Sequence, residues 1–206
     1  MEMFTKEEGA IKTIGERGLI RLIQEYCDSV VPAYPEGIGD DCAVMRSRCD
    51  FDKLVATSDS VRLCAHFSEH DDAYWVGRKL VNRNISDIAA MGAIPAWGLL
   101  NLFLPSNLHK DWFIEFLRGL TSACMENNFR LVGGDICSLE NSQFIGSMTC
   151  NGYSNSPVLR KGGEEGDLIC CTGNLGGSLL GKHLQFTPRV KEGIWFSNQP
   201  ETRAMM

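Results

Sequence analysis

The 206 residues, 44% of them hydrophobic, suffice for one substantial core or a core with an appendage, and nothing in the composition points to disorder. A formal net charge of -6 without any Lys/Arg run excludes a general nucleic-acid binder, which needs a basic, counterion-releasing surface; an acidic chain that handles phosphates needs bridging cations. Nine cysteines with no Cys-x-x-Cys pair make a poor disulfide framework and favour a reducing cytoplasm; with no basic-apolar leader and no bilayer-length run, neither secretion nor membrane insertion is expected.

The first predicted element is an amphipathic packing helix over Glu16 to Cys27, with Leu19, Ile20, Leu22, Ile23 and Tyr26 on one side. After the Pro32 to Pro35 turn comes Gly37-Ile38-Gly39-Asp40-Asp41, then short strands at Cys42 to Met45 and Leu54 to Thr57, the second ending in Thr57-Ser58-Asp59-Ser60. A long helix begins near Asp71 and runs to Gly92, because Ala73, Val76, Leu80, Val81, Ile88 and Ala89 recur at helical spacing while Arg78, Lys79 and Arg83 fall elsewhere. On it, Asn84 and Asp87 share a face bracketed by Leu80 and Ile88, where a carboxylate is desolvated unless something pairs with it. A cation is one such partner; capping of the turn before Gly92 is the plainer account of this helix taken alone.

Ala96 to Leu104 then reads as a buried strand closed by Pro105, Asp111 to Glu126 as an amphipathic helix, and Phe129 to Val132 as a strand running into Gly133-Gly134-Asp135. A strand at Phe144 to Tyr153 leads to the polar loop Arg160 to Gly166. Leu168 to Thr172 is expected as a strand opening onto the glycine-rich turn Gly173 to Ser178 and a short helix. That turn lacks the Lys-Ser/Thr ending of a P-loop, and a packing role suffices for it.

Four acidic corners stand out. Asp41, Asp59, Asp87 and Asp135 each follow an apolar run into a Gly- or Ser-containing turn, and together offer oxygen ligands of the kind Mg2+ accepts, a few carboxylates plus substrate phosphates. Thr57 and Ser58 add oxygens beside Asp59, and the Gly-Gly before Asp135 lets a polyanion approach the backbone, although an ordinary turn explains it equally well. Cys64-x-His66 has no second ligand pair for zinc, which leaves His66 as a substrate contact or a structural histidine. No Gly-x-Ser-x-Gly or His-Glu-x-x-His motif supports a covalent nucleophile or zinc hydrolase, and no catalytic acid, base or nucleophile is assigned.

In this order the motifs resemble the thiamine-monophosphate kinases of the aminoimidazole-ribonucleotide synthetase superfamily. The resemblance rests on Gly37 to Ala43, Thr57-Ser58-Asp59 with His66-Phe67, Asn84 to Pro95, Gly133-Gly134-Asp135, and Gly166-Asp167 leading to Thr172 to Gly176. It implies ATP-dependent phosphorylation of thiamine monophosphate to thiamine diphosphate by direct Mg2+-assisted transfer. It also implies metal roles for Asp41, Thr57, Ser58, Asp59, Asp87 and Asp135, nucleotide contacts at Gly134, Asp135 and Arg160, and a substrate contact at His66.

The implied fold is α+β: a mixed sheet with helices on one face, forming an N-terminal nucleotide, metal and dimerisation domain over residues 1–153, with 154–206 beginning a second α/β domain. In the superfamily two such sheets pair across a two-fold axis, so a homodimer is implied. Glu164-Glu165 stand where relatives often carry a Lys-Pro pair, which weakens the case for Arg160. The chain also stops at Ala204-Met205-Met206, where the family's second-half Asp-x-Ser-Asp-Gly-Leu motif is expected to begin. Leu168, Ile169, Leu179, Leu180 and Leu184 are therefore expected to lack packing partners. A selenophosphate or aminoimidazole-ribonucleotide type synthetase and a non-catalytic nucleotide-binding or dimerisation module are the other readings.

Overall fold

In the computed structural model the described residues are 2–5, 9–32, 50–140 and 142–206. The expected strand at Cys42 to Met45 and the motif carrying Asp41 lie outside them. The described strands are β1 (Lys53–Arg62), β2 (Ile94–Pro105), β3 (Arg130–Leu139) and β4 (Ile145–Ser154), in one four-stranded sheet of order β1-β4-β2-β3. β4 runs antiparallel to both β1 and β2, whereas β2 and β3 are parallel, so the sheet is mixed.

Helices α1 (Gly15–Tyr26), α2 (Ala73–Ala90) and α3 (Lys110–Glu126) follow the predicted periodicity closely. The starts of α2 and α3 are set by side-chain caps, Asp72 accepting from the Tyr74 N–H and His109 Nδ1 from the Asp111 N–H. One sheet face is covered by α2 and α3, the parallel β2–α3–β3 crossover placing α3 there. Between them lies an aromatic core of Phe67, Trp112, Phe113, Phe116 and Phe144. α2 and α3 cross backbone to backbone: a Cβ on Gly77 would sit 2.0 Å from the Phe116 carbonyl oxygen, and one on Gly119 1.8 Å from that of Tyr74.

Three expectations are corrected. Thr57-Ser58-Asp59 is no strand-end turn but the middle of β1, because the ladder with β4 continues to Arg62↔Ile145. Gly133-Gly134-Asp135 likewise lies inside β3, which continues beside β2 to Leu139. Pairing with a neighbour overrides the turn propensity of Ser, Gly and Asp. No strand forms at Leu168 to Thr172: Leu168 is 91% exposed and Ile169 100% exposed, and without a ladder partner an extended apolar run gains nothing from strand geometry.

Leu179 and Leu180 are exposed as expected, but Leu184 is buried in the main core. It is carried there by α4 (Lys182–Gln185), and α5 (Val190–Ser197) follows, seated on the C-terminal end of α2. The approach is close enough that a Cβ on Gly193 would meet the Ala89 carbonyl oxygen at 2.1 Å. Arg78 and Lys79, expected off the apolar stripe, are buried as well. Arg78 makes a two-point pair with Glu126 at 2.6 Å each and bonds Ser122, while Lys79 reaches across to α4.

Candidate functional site

The seam between α2 and β1 gathers most of the polar groups that the sequence singles out. Thr57, Asp59 and Val61 alternate towards the helix side of β1, and the face of α2 opposite them carries Asn84 and Asp87. Asp87 Oδ2 accepts a hydrogen bond from the Thr57 hydroxyl at 2.7 Å, so its partner is a strand side chain rather than a turn N–H. Asn84, fully buried, clasps the main chain of Asp59. Its Oδ1 accepts from the Asp59 N–H at 2.8 Å, and its Nδ2 donates to the Asp59 carbonyl at 3.3 Å and to Leu80 O at 2.9 Å. Among the described residues β1 is an edge strand, and Asn84 supplies at Asp59 the pairing that a further strand would give.

The Asp59 carboxylate is held from the helix. Arg83 places both Nε and a terminal nitrogen 3.0 Å from Oδ2, which leaves Oδ1 without a partner among the described residues. Sequence reasoning missed Arg83. The available signal was its position four residues before Asp87, which puts a guanidinium on the carboxylate's own helical face.

His66 closes one end of this region. Its Nδ1 accepts from the Arg62 N–H at 3.1 Å, and its carbonyl accepts from the buried Lys79 ammonium, which also lies 2.7 Å from His183 Nδ1. Burial lowers the proton affinity of the His66 ring, and the neighbouring Arg83 and Lys79 charges lower it further. Lys79 is lowered too, first by burial and then by Arg83. Cationic groups thus gather around His66, with Asp59 and Asp71 opposing them.

Other predicted site residues lie apart. The Ser58 hydroxyl turns to β4, donating to Met148 O at 3.1 Å. Asp135 shares its row with Asn101, Ser147 and Ser60, out of step with Asp59, so it stands exposed on the open face of the sheet, at the opposite edge. Three strand spacings separate the two rows' ends, roughly 14 Å. Gly134 has φ +153°, and a Cβ there would be 1.7 Å from Leu100 O, so close packing of β3 on β2 by itself requires glycine. Arg160 is exposed in the stretch after β4, while Glu164 and Asp167 are taken up by Arg203.

The donor set on the seam suits a hard cation. Hydroxyl and carboxylate oxygens from Thr57, Asp59 and Asp87 match an ion that keeps several waters and binds through one or two carboxylates plus substrate phosphates. They do not form an all-protein cage: among the described residues no group of three His, Cys, Asp or Glu side chains converges. Cys27, Cys124 and Cys150 are buried, and burial raises their thiols, Cys27 to about 11, which makes them packing groups rather than nucleophiles. Among the described residues no helix is long and apolar enough to cross a membrane.

Comparison with known proteins adds four matches. Residues 39–153 match the family model described as AIR synthase related protein, N-terminal domain. The chain is 38% identical over 168 residues to the thiamine-monophosphate kinase of Rhodopirellula baltica, an alignment covering 78% of this chain and 53% of the relative. Among solved structures, thiamine monophosphate kinase from Aquifex aeolicus superposes with a TM-score of 0.68 at 25% identity, covering 89% of this chain and 65% of that one. A structure described as AaThiL complexed with AMPPCP and TMP also gives 0.68, at 30% identity, covering 95% of this chain and 65% of that one. The chain spans about half the length of the curated relatives it matches.

Proposed function

The chain belongs to the AIR synthase related family, whose N-terminal domain it carries, and from that premise we propose that it is the metal-carrying part of an enzyme that phosphorylates thiamine monophosphate with ATP to give thiamine diphosphate. The observation that carries this reading is the α2–β1 seam, where Thr57, Asp59 and Asp87 present hard oxygen donors next to the cationic Arg83, Lys79 and Arg62 around His66. Phosphoryl transfer asks mainly for positioning and charge neutralisation, and such a seam supplies both without a dedicated general base. Mg2+ held by Asp87, Asp59 and Thr57, with Asp41 and Ser58 as the further ligands that the family resemblance implies, would neutralise charge developing on the transferred group.

The chain's own residues divide the remaining work. Asn84 fixes β1 against α2, so that Asp59 and Asp87 keep their separation whether or not a ligand is present. His66 meets the phosphorylated substrate at the basic end of the seam. Gly134, Asp135 and Arg160 contact the nucleotide from the open face and the exposed stretch after β4, where an exposed glycine-bearing strand and an exposed guanidinium suit a polyphosphate. Leu54, 58% exposed, and Ile94, 42% exposed, lie on the sheet's uncovered side with half-buried Trp97, Leu99, Phe103 and Tyr153; this apolar content supports pairing of two sheets in a homodimer.

The test is incubation of the parent protein with ATP, Mg2+ and thiamine monophosphate, with thiamine diphosphate measured by chromatography. Product dependent on all three is expected, and its absence across a range of Mg2+ concentrations would refute the proposal. Selenophosphate and aminoimidazole-ribonucleotide synthetase substrates run in parallel distinguish the related activities.

A further inference from the structure

Resting on the phosphoryl-transfer reading of the seam, a further role falls to Arg83, whose guanidinium occupies the carboxylate that a cation would need. Its Nε donates to Asp59 Oδ2 at 3.0 Å, and a terminal nitrogen lies 3.0 Å from the same oxygen. Its side chain is 27% exposed and that of Asp59 32%, so the pair lies at the rim of the seam. Arg78, five residues earlier on α2, is the contrast: 10% exposed, bound at two points to Glu126, bonded to Ser122 and stacked near Tyr74 and Trp75, it is fixed in place. Among the described residues Arg83 has one carboxylate partner, and its side chain is partly exposed.

We propose that Arg83 alternates between two anions: it neutralises Asp59 while no divalent cation is bound, and turns to a phosphate oxygen of an incoming polyphosphate once a cation takes Asp59. The physical reason is charge. A dication and a guanidinium held by the same Asp59 carboxylate repel each other, even on its two different oxygens, so the cation alone binds against Arg83. A polyphosphate removes the conflict, because the planar two-donor fork that fits a carboxylate also fits a phosphate. Asn84, the next residue, keeps the main chain of α2 tied to β1, so only the Arg83 side chain has to move. The exchange makes cation and polyphosphate binding mutually dependent and disfavours occupation of the seam by the metal alone.

Titration calorimetry on the 206-residue chain tests this with two probes, Mn2+ alone and inorganic tripolyphosphate with saturating Mg2+. Arg83→Met keeps the aliphatic stem and loses the charge. It should bind Mn2+ about fivefold more tightly, the scale of a half-exposed ion pair, and Mg2+-tripolyphosphate about tenfold more weakly, the scale of a charged hydrogen bond. Arg83→Lys keeps the charge but not the fork. Its Mn2+ affinity should stay within about twofold of the parent, with tripolyphosphate still weakened. Thermal melting of each variant without ligand establishes folding. Mn2+ affinity that is unchanged or lower in a folded Arg83→Met chain overturns the proposal, and so does unchanged tripolyphosphate affinity in either variant. No turnover enters these readouts, so failure here is distinct from failure of the kinase assay.

Discussion

Replacing Asn84 by alanine removes the clasp that ties β1 to α2, and the structure allows its cost to be worked out. The side chain is fully buried and makes three hydrogen bonds, at 2.8, 2.9 and 3.3 Å. The Leu80 carbonyl keeps its bond within α2, so its loss matters little. The Asp59 N–H keeps no other partner among the described residues, and a donor left unsatisfied in such a half-buried place costs about 1–3 kcal/mol. With the small cavity added, about 2–4 kcal/mol is expected.

Asn84→Asp is the sharper comparison. One oxygen still accepts from Asp59 N–H, but the other replaces a donor and faces the carbonyls of Asp59 and Leu80, with the Asp59 and Asp87 carboxylates nearby. At neutral pH it should cost at least as much as alanine. Urea denaturation at constant m value measures both. A loss below about 0.5 kcal/mol for either variant, the range of an ordinary surface change, would show that the clasp does not hold the seam.

Other outcomes follow from the same structure. Alanine at Gly119, which brings a Cβ within 1.8 Å of Tyr74 O, should force α2 and α3 apart and cost about 3 kcal/mol in urea denaturation. Glu126 is held below its ordinary value of 4.5, first by its hydrogen bonds from Arg78. The stability it contributes is therefore present above pH 4.5 and is lost as pH falls through the lower folded value; Glu126→Gln should flatten this part of the acid limb, measured by melting temperature between pH 3 and 6. Asp87→Asn keeps an acceptor for the Thr57 hydroxyl, so melting without metal should be unchanged or raised while Mn2+ affinity falls at least about tenfold. A clear loss of metal-free stability in this variant would instead mark Asp87 as structural.

Much of this arrangement is legible in the sequence wherever local chemistry and packing agree. The three long helices follow from apolar periodicity, and Asp72 caps α2 beside the predicted start. The unusual pairing of Asn84 with Asp87 on an apolar face signalled a polar partner, which proved to be Thr57 for one and the main chain of Asp59 for the other. The turn-like motifs misled because Ser58 and Gly134 have low strand propensity, while the ladders that hold them in β1 and β3 are long-range and invisible locally. Arg78, Lys79 and Arg83 misled in another way. Charge was read as exposure, but each meets a partner more than ten residues away: Glu126, His183 and Asp59. Leu184 had no visible partner in sequence because its contacts are with the core beside α2.

The claim that Thr57, Asp59 and Asp87 form a divalent-cation seam is tested most directly by amide and side-chain NMR of the chain during titration with Mn2+. Paramagnetic broadening should appear first at Thr57, Asp59, Asn84 and Asp87, then at His66, and excess Mg2+ should reverse it. Broadening that begins instead at another acidic group, such as Glu164 and Asp167, and leaves the α2–β1 seam untouched would contradict the assignment.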